Sequence, residues 1–500
     1  MTEVELKFEM QPDARARLAA SPALAGAQPV RRRMTSLYFD TPERALAQRE
    51  MALRLRREGR RWVQTLKSGK SGTGGLHARD EWEHVRPGPT LDLSVLGETP
   101  LARLDGAAEI GRRLGPVFEV RVMRTAWKLA PEPGCRLEVA LDTGEVASGK
   151  RVSPICEVEI ECLEGDPGRA FDLARRLMEE VALHPSAVTK AERGYRLYRN
   201  EPLAPVKAGK VRLDPSMSPT QAARAVVATG LAQLQANEEG VLASSDPEFV
   251  HQARVALRRM RSSLRVFRGE IGDERARSWL AALGDTSRAL GASRDWDVFA
   301  TETLPAALAA HGDPGLARSL RARVAHRRRR EREHAREALR SPGYAAVLLD
   351  IARWLAEAEA AGAQAQPLLP LTEFAARVIR KRRKRLLMGA LLLGTMGTAE
   401  QHRVRVDAKR LRYALDALSS LFKPRPLATF AASVACLQEA LGERNDAITA
   451  LRLLQELAAP EPFAAFARGW FAARARGDPA ALEPIVAELA RQHRFWLRKA

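Results

Sequence analysis

The chain has 500 residues, of which 28% are charged, and it carries a formal net charge of +20 at pH 7. That length exceeds what one ordinary hydrophobic core serves, so two or more domains are expected. Apolar stretches fall short of the roughly 18 to 20 residues that a membrane span requires, and aromatic residues make up only 5% of the chain. The composition therefore predicts no membrane partner, and it argues against nucleic acid because base stacking needs aromatic platforms.

The start of the chain shows neither the basic stretch nor the apolar core of a secretory signal. The four cysteines form no C-x-x-C pair, so buried thiols are expected rather than a redox or zinc site. A cytoplasmic location follows as a prediction.

Residues 1–162 consist mostly of short strands in which charged residues alternate with apolar ones. In Glu3-Val-Glu-Leu-Lys7 the charged side chains share one face, because successive side chains of a strand point to opposite sides. The pattern recurs at five later places: Arg54 with Arg56, Thr65 with Lys67, Arg79 with Glu81 and Glu83, Arg136 with Glu138 and Asp142, and Glu157 with Glu159 and Glu161. A solvated sheet face is the plain interpretation, but acidic clusters beside Arg and Lys pairs fit better inside a closed antiparallel barrel. Such a lumen would bind a divalent cation through carboxylates and phosphate through basic side chains.

The character of the chain changes near residue 200. A helical insertion is predicted at about 91–114 and a helix at about 167–181, and residues 200–215 then lack helical periodicity and contain three prolines. Beyond them the sequence is rich in Ala, Leu and Arg at helical spacing. We therefore predict a domain at 1–200, a linker at 201–216 and a helical domain at 217–500. Residues 1–200 hold 33 Lys and Arg against 29 Asp and Glu, so most of the positive charge belongs to the helical half.

The helical half contains an internal repeat with an offset of 151 residues. The segment from His251 to Arg261 returns from His402 to Arg412, and Leu290-Gly291-x-x-x-Asp295 returns as Leu441-Gly442-x-x-x-Asp446. Two motifs that share one offset indicate a duplicated helical unit, predicted at about 217–365 and 366–500.

Each copy carries a basic stripe at spacings of three and four, beside an apolar stripe that is expected to be core. The stripes comprise His251, Arg254, Arg258 and Arg261 in the first copy and His402, Arg405, Lys409 and Arg412 in the second. A charged stripe is usually a solvated face, but these two lack acidic residues, which favours an anion site. One histidine surrounded by arginines is a poor cation ligand set, so a metal is disfavoured there.

Two resemblances add to this interpretation. Glu3-x-Glu5-x-Lys7 resembles the signature of the CYTH, or triphosphate tunnel metalloenzyme, superfamily, and further segments match in order as far as Lys190-Ala-Glu-Arg-Gly-Tyr195. The helical half resembles the CHAD domain, which is implicated in binding inorganic polyphosphate. Together they imply a multidomain α+β protein: an eight-stranded antiparallel β-barrel followed by an all-α duplicated helical bundle.

The CYTH resemblance implies roles for individual residues. Metal ligands for Mg²⁺ or Mn²⁺ are expected at Glu3, Glu5, Glu157 and Glu159. Phosphate-binding groups are expected at Lys7, Arg54, Arg56, Lys67, Arg121, Arg124, Lys190 and Arg193. Candidates for the catalytic step are Lys7, Glu81, Glu83, Glu138 and Asp142, without a choice of the carboxylate that positions the water. For Glu161 and Arg79 a structural ion pair is the preferred interpretation.

The pairing of the two domains resembles bacterial inorganic triphosphatases. It implies a metal-dependent hydrolase that converts inorganic tripolyphosphate to pyrophosphate and phosphate, and whose helical domain binds long-chain polyphosphate, with polyphosphate granules as a further expected location. The alternatives are a non-enzymatic polyphosphate scaffold and another CYTH activity, namely nucleoside or thiamine triphosphatase or class IV adenylate cyclase.

Overall fold

The computed structural model describes residues 2–69, 72–360, 369–476, 482–492 and 494–496. The chain divides into two compact units, and the first joins Met1–Ala204 to Arg340–Ala361, while the second joins Pro205–Leu339 to Gly362–Ala500. Within the described part of the chain, no helix combines the length and apolarity that a bilayer crossing demands.

The first unit is built on one antiparallel sheet. Its strands are β1 (Thr2–Met10), β2 (Val30–Asp40), β3 (Met51–Glu58), β4 (Arg61–Ser68), β5 (Leu76–Arg86), β6 (Gly115–Glu132), β7 (Cys135–Ser148), β8 (Arg151–Glu164) and β9 (Leu183–Pro185). The order is β5-β4-β3-β2-β6-β7-β8-β1, and β1 also pairs with β5, so these strands close an eight-stranded barrel with β9 added beside β1. This confirms the predicted barrel.

Helices cover the barrel from outside and at one end. They are α1 (Arg15–Ala19), α2 (Ala107–Arg112), α3 (Gly168–Glu180) and α4 (Lys190–Arg199). Helix α3, close to its predicted bounds, buries Phe171, Ala174 and Leu177 at helical spacing, and these pack on the outward apolar faces of β1 and β8. The alternation of the strands thus leaves their charged faces to the lumen.

Helix α4 begins at a capping box in which Thr189 accepts from the Glu192 amide and Glu192 accepts from Thr189. Its Tyr195 hydroxyl donates to buried Asp40 at 2.8 Å and packs edge-on against Phe118. A side chain at Gly194 would stand 2.2 Å from the Phe118 ring, so glycine is required where α4 crosses the barrel.

One further helix belongs to the first unit although it lies far along the chain. Helix α11 (Pro342–Ala360) places Leu349 and Ala352 in the same core cluster as α3. Its Arg353 donates to Asp172 of α3 at 2.6 Å, and Asp350 pairs with Arg175. The segment 340–361 lies within the helical domain predicted at 217–500, and in the structure it belongs to the compact unit that contains the barrel.

The second unit is largely helical, as predicted. Before α11 it contains α5 (Pro219–Ala243), α6 (Pro247–Val266), α7 (Arg268–Ile271), α8 (Asp273–Val298), α9 (Leu304–His311) and α10 (Pro314–Arg340). After α11 it contains α12 (Leu371–Ala390), α13 (Thr398–Ala417), α14 (Pro424–Leu457), α15 (Glu461–Arg476) and α16 (Glu483–Arg491). Helices α6 and α13 begin 151 residues apart, and so do α8 and α14, which is the offset of the sequence repeat.

The apolar stripe predicted on α6 is buried. Ala253, Leu257, Met260 and Leu264 are each at most 1% exposed. Asp246 caps this helix by accepting from the Glu248 amide at 2.8 Å, with Pro247 in the first helical position. The cap and the stripe fix the rotation of α6 and therefore the direction of its basic residues.

The contribution of α11 to the first unit is testable by truncating one side chain. Leu349→Ala removes a 3%-exposed leucine from the core shared with α3, and large-to-small changes of this kind cost about 2–5 kcal/mol. We expect faster amide hydrogen exchange in α3 and β1. The control is Leu163→Ala at a 40%-exposed leucine of β8, which should change stability by less than about 0.5 kcal/mol. Unchanged protection of α3 in Leu349→Ala would show that α11 does not stabilise the barrel unit.

Candidate active site

A cavity of about 490 Å³ occupies the barrel lumen, and inward-facing side chains of the eight strands and the start of α4 line it. Its basic residues are Lys7, Arg32, Arg54, Arg56, Lys67, Arg79, Arg124, Lys128 and Lys190. Its acidic residues are Glu5, Glu58, Glu81, Glu83, Glu138, Asp142, Glu159 and Glu161. The nearly balanced charge of these residues explains how so many ionised groups can share one lumen.

The deepest part of the cavity is an ion-pair network around Lys190. The Nζ atom of Lys190 lies 2.5 Å from Glu159 Oε1, 2.8 Å from Asp142 Oδ2 and 3.2 Å from Glu157 Oε2. Arg124 donates to both oxygens of Asp142 at 2.7 and 2.6 Å and also pairs with Glu159. The capping box of α4 sets the position of Lys190, so the helix start orients the network.

The network fixes the ionisation of its members. Burial acts to lower the pKa of Lys190, but Asp142, Glu157 and Glu159 outweigh it and raise that pKa well above its ordinary value. Burial likewise acts to raise the pKa of Glu159, yet Lys190, Arg124 and Lys7 hold it well below its usual range. Against the same effect of burial, Lys190 and Arg124 lower the pKa of Asp142. These groups therefore stay charged at neutral pH.

Three predicted phosphate-binding residues line the more open wall formed by β3, β4 and β5. Arg54 Nη2 lies 3.4 Å from Glu81 Oε1, and Lys67 Nζ lies 3.3 Å from Glu81 Oε2. Arg56 pairs with Glu58 at 3.2 Å. Each of these three cations has a carboxylate partner on the same wall, so an incoming phosphate would compete with that carboxylate for the donors.

Other predicted residues lie elsewhere. The side chain of Arg121 is 55% exposed and pairs with Glu119 and Glu145 rather than facing the cavity. Arg193 donates to Glu9 at 2.9 Å and is not among the residues that line the cavity. The side chain of Glu3 lies outside the described residues. Arg121 and Arg193 are therefore placed as structural ion-pair partners.

Glu157 has surroundings that do not suit a metal ligand. It is 1% exposed, it is absent from the cavity wall, and Lys7 Nζ lies 2.5 Å from its Oε2. Glu159 faces the cavity but is held by Lys190 and Arg124. Two cations at a carboxylate compete with a divalent metal, so the predicted pair Glu157 and Glu159 fits a cation poorly.

A different row of carboxylates fits better. In the sheet register Glu5 of β1 is directly opposite Glu161 of β8, and Glu161 is directly opposite Glu138 of β7. All three line the cavity, and hard oxygen donors are the ligands that Mg²⁺ and Mn²⁺ prefer. In the described part of the chain no three such side chains stand close enough to form a ready cluster, so a cation would have to draw this row together.

Several cavity residues were not predicted. Arg32, Glu58 and Lys128 all line the lumen, and Arg79 and Glu161, assigned to structural ion pairs in the sequence, do so too. The sequence did contain a signal for them, because residues an even number of positions apart on a strand share one face. Arg32 stands an even number of positions before Tyr38, and Lys128 stands four positions after Arg124. The family motifs cover only short segments of each strand, whereas alternation along a whole strand identifies every inward-facing position.

The second unit contains the other predicted site. Helix α6 packs against α13, and Arg254 donates to Asp295 of α8 at 3.0 Å while Arg405 Nη2 lies 4.0 Å from Asp446 of α14. Both Arg258 and Arg412 lie over the ring of Tyr413, at 5.5 and 5.6 Å from its centroid. The two Arg–Asp contacts are equivalent in the two repeats and involve the Asp of each Leu-Gly-x-x-x-Asp motif, whereas the Tyr413 contacts bring an arginine of each repeat onto one ring.

We call Arg254, Arg258, Arg405, Lys409 and Arg412 the basic cluster. Burial, followed by the positive charges of Arg254, Arg405 and Arg412, lowers the pKa of Arg258. His251 borders the cluster, and burial followed by the charge of Arg294 lowers its pKa, whereas His402 is exposed. The charge that acts on Arg261 is that of Arg288, so Arg261 lies apart from this cluster.

Models of two protein families match successive parts of the chain. A family model described as the CYTH domain matches residues 1–195, and one described as the CHAD domain matches residues 225–455. The inorganic triphosphatase of Haemophilus influenzae is 32% identical over 162 residues, which are 32% of this chain and 44% of that protein. The chain therefore spans less than half the length of this curated relative.

Solved structures are also similar to parts of this chain. The crystal structure of the CHAD domain from the plant Ricinus communis is 32% identical with a TM-score of 0.51, over 58% of this chain and 98% of that one. PptA from Streptomyces chartreusis is 19% identical with a TM-score of 0.41, over 55% of this chain and 98% of that one.

The Lys190 network predicts a specific pH dependence of stability. Lys190→Met leaves three buried carboxylates short of one cation, and breaking a buried pair costs about 3–5 kcal/mol. Because the folded pKa values of Asp142 and Glu159 are lowered, their contribution is present above the ordinary carboxyl pKa and disappears as the pH falls through the folded values. The stability difference from wild type should therefore be large at pH 7 and shrink below about pH 4. Denaturant unfolding at several pH values measures it.

The matched control is Arg121→Met, which removes an exposed arginine from the same barrel and should cost less than about 0.5 kcal/mol at every pH. A Lys190→Met variant as stable as this control at pH 7 would contradict the network.

Proposed function

Because the chain belongs to the CYTH family over residues 1–195 and to the CHAD family over residues 225–455, we propose that it is a metal-dependent inorganic triphosphatase that also binds polyphosphate. The reaction adds water to a terminal phosphorus of tripolyphosphate, breaks one P–O–P bond and releases pyrophosphate and phosphate. The observation that carries the proposal is the closed lumen, which is lined by many basic and acidic side chains.

The basic wall supports the choice of a phosphate chain as substrate. Arg54, Arg56 and Lys67 would bind phosphate oxygens, the arginines in bidentate pairs, and exchange their present carboxylate partners for the substrate. Arg124 already donates to Asp142, and its remaining N–H groups would donate to a substrate in the same cavity. The curated relative described as an inorganic triphosphatase favours an inorganic chain over an organic triphosphate.

The carboxylates divide into two groups. Asp142, Glu157 and Glu159 are fixed by Lys190, Lys7 and Arg124 and would position those cations, with Lys7 acting through Glu157 rather than on substrate. Glu81, Glu83 and Glu138 face the cavity outside the network and remain the candidates that accept a proton from the attacking water.

Three cavity-lining carboxylates outside the Lys190 network supply the proposed cation site. We place Mg²⁺ or Mn²⁺ at Glu5 and Glu161, with Glu138 beside them, instead of at Glu157 and Glu159. When bound, the cation would neutralise charge that develops on the phosphate oxygens. The chain's own contribution is a carboxylate row on three neighbouring strands, across the lumen from Arg54 and Lys67.

The basic cluster of the second unit is proposed as the polyphosphate site. Its five cations come from both repeats, and Asp295 and Asp446 hold one arginine in each repeat. A polyanion would gain from such a cluster chiefly by releasing counterions, so binding should fall steeply with salt. A cytoplasmic location and association with polyphosphate granules stay predictions.

The revised metal set separates two variants of one strand. Glu161→Gln should raise the Mg²⁺ concentration needed for half-maximal tripolyphosphate turnover by more than about 10-fold and leave stability near that of wild type. Glu157→Gln should instead lower stability, because Lys7 and Lys190 each lose a buried partner. Phosphate release across an Mg²⁺ series and denaturant unfolding give the two readouts. Normal metal dependence in Glu161→Gln would reject the carboxylate row.

Charge reversal tests the polyphosphate site. Arg258→Glu with Lys409→Glu should abolish retention of long-chain polyphosphate at physiological salt and leave tripolyphosphate hydrolysis by the barrel near wild type. The control, Arg318→Glu with Arg321→Glu, changes net charge equally on exposed positions of α10. If retention of polyphosphate falls equally in both variants, binding depends on net charge and not on the basic cluster.

A further inference from the structure

Lys409 is placed differently from every other cation of the basic cluster. Its repeat equivalent is Arg258, since both stand at the same position of the two motifs. Arg254 and Arg405 each have a carboxylate, at 3.0 and 4.0 Å, and Arg258 lies over Tyr413. Among the residues that the structure describes, no carboxylate lies within ion-pair distance of Lys409.

The charged groups that act on Lys409 come from each element around it. Helix α6 supplies Arg258 and Arg254, α13 supplies Arg405, and α14 supplies an opposing charge, Asp446. Asp295 of α8 pairs with Arg254 and so faces the cluster from the fourth side. Arginine stays protonated at all relevant pH values, so Lys409 is the member of this set that can give up its charge.

Burial, followed by the positive charges of Arg258, Arg405 and Arg254, lowers the pKa of Lys409 to about 7. In the absence of an anion, a substantial fraction of Lys409 is therefore neutral at physiological pH. A bound phosphate chain would supply the negative charge that the site lacks and would favour the ammonium form. Binding and protonation at one position are then thermodynamically linked.

We propose that the basic cluster takes up a proton at Lys409 when it binds a polyphosphate chain, so that binding weakens as the pH rises above neutrality. The inference rests on the proposed polyphosphate function and adds its regulation. A rise in proton concentration would increase retention of polyphosphate, and an alkaline shift would release it. The first repeat, with arginine at the equivalent position, keeps a charge that does not respond.

His251 is another ionisable side chain beside the cluster. Burial and Arg294 lower its pKa below the ordinary histidine value, so its protonation belongs to a more acidic range than that of Lys409. A response above neutral pH therefore reports on Lys409.

The test is calorimetric titration of the full chain with long-chain sodium polyphosphate, with a chelator present so that the barrel cannot hydrolyse it. Repeating it in buffers of different ionisation enthalpy gives the number of protons taken up per site. Between about pH 7 and pH 9 we expect uptake of up to about one proton, and an affinity that falls by at most about tenfold per pH unit.

Three variants distinguish the role of Lys409 from that of the rest of the basic cluster. Lys409→Arg should bind polyphosphate with a nearly flat pH profile and no uptake at this position, which also measures any contribution from chain ends. Arg258→Lys should make the pH profile steeper by adding a second lysine. Lys384→Arg, at an exposed position of α12, is the matched control and should behave as wild type.

The outcomes are distinguishable. Absence of binding at every pH would overturn the polyphosphate site itself. Binding without proton uptake in wild type, or an unchanged pH profile in folded Lys409→Arg, would overturn only the proton linkage. If Lys409→Arg does not fold, proton uptake by wild type in the paired buffers still decides the question.

Discussion

Opposite charges confined in one closed lumen are the constraint on which the barrel unit depends. A buried carboxylate needs a cation or a hydrogen-bond donor, and the strands supply both at alternate positions. Lys190 joins three carboxylates from two strands to the start of α4. The same lumen carries Arg54, Arg56 and Lys67 on the wall formed by β3 and β4. The charge pairing that stabilises the barrel therefore also brings together the cations that a polyanion would contact.

The two units meet similar physical demands by different means. In the barrel, cations and carboxylates are nearly matched in number, and a divalent cation would compensate the charge of a triphosphate. In the basic cluster the cations outnumber the two aspartates, and burial together with repulsion lowers the pKa of both Arg258 and Lys409. The first arrangement suits a short substrate that must be exposed to water attack, and the second suits retention of a long chain.

Much of the fold follows from local patterns. Alternation along the strands predicted the barrel, and the 151-residue offset predicted helices that begin at equivalent positions. Helix α11 could not be assigned from its sequence, because a helix that is apolar on several sides does not reveal which core it joins. Its partners in α3 lie about 175 residues earlier, as the Arg175 and Asp350 pair shows, and no local signal encodes such a separation.

The sequence predicted much of the cavity lining but not its geometry. Glu5, Arg54, Arg56, Lys67 and Lys190 were predicted as site residues and line the cavity, because alternation and motif agree at those positions. Which glutamate of the β8 row lies opposite Glu5 depends on strand register, and the register places Glu161 there. Register is set by pairing across the sheet. The sequence of a single strand therefore does not show which of Glu157, Glu159 and Glu161 lies opposite Glu5.

The most direct measurement of the central claim is phosphate release from tripolyphosphate, ATP and thiamine triphosphate, each with and without Mg²⁺. A lumen that binds an inorganic triphosphate with a divalent cation predicts rapid, Mg²⁺-dependent release from tripolyphosphate and slow release from the two organic substrates. Equal rates with all three substrates, or turnover of tripolyphosphate that does not depend on a divalent cation, would contradict it.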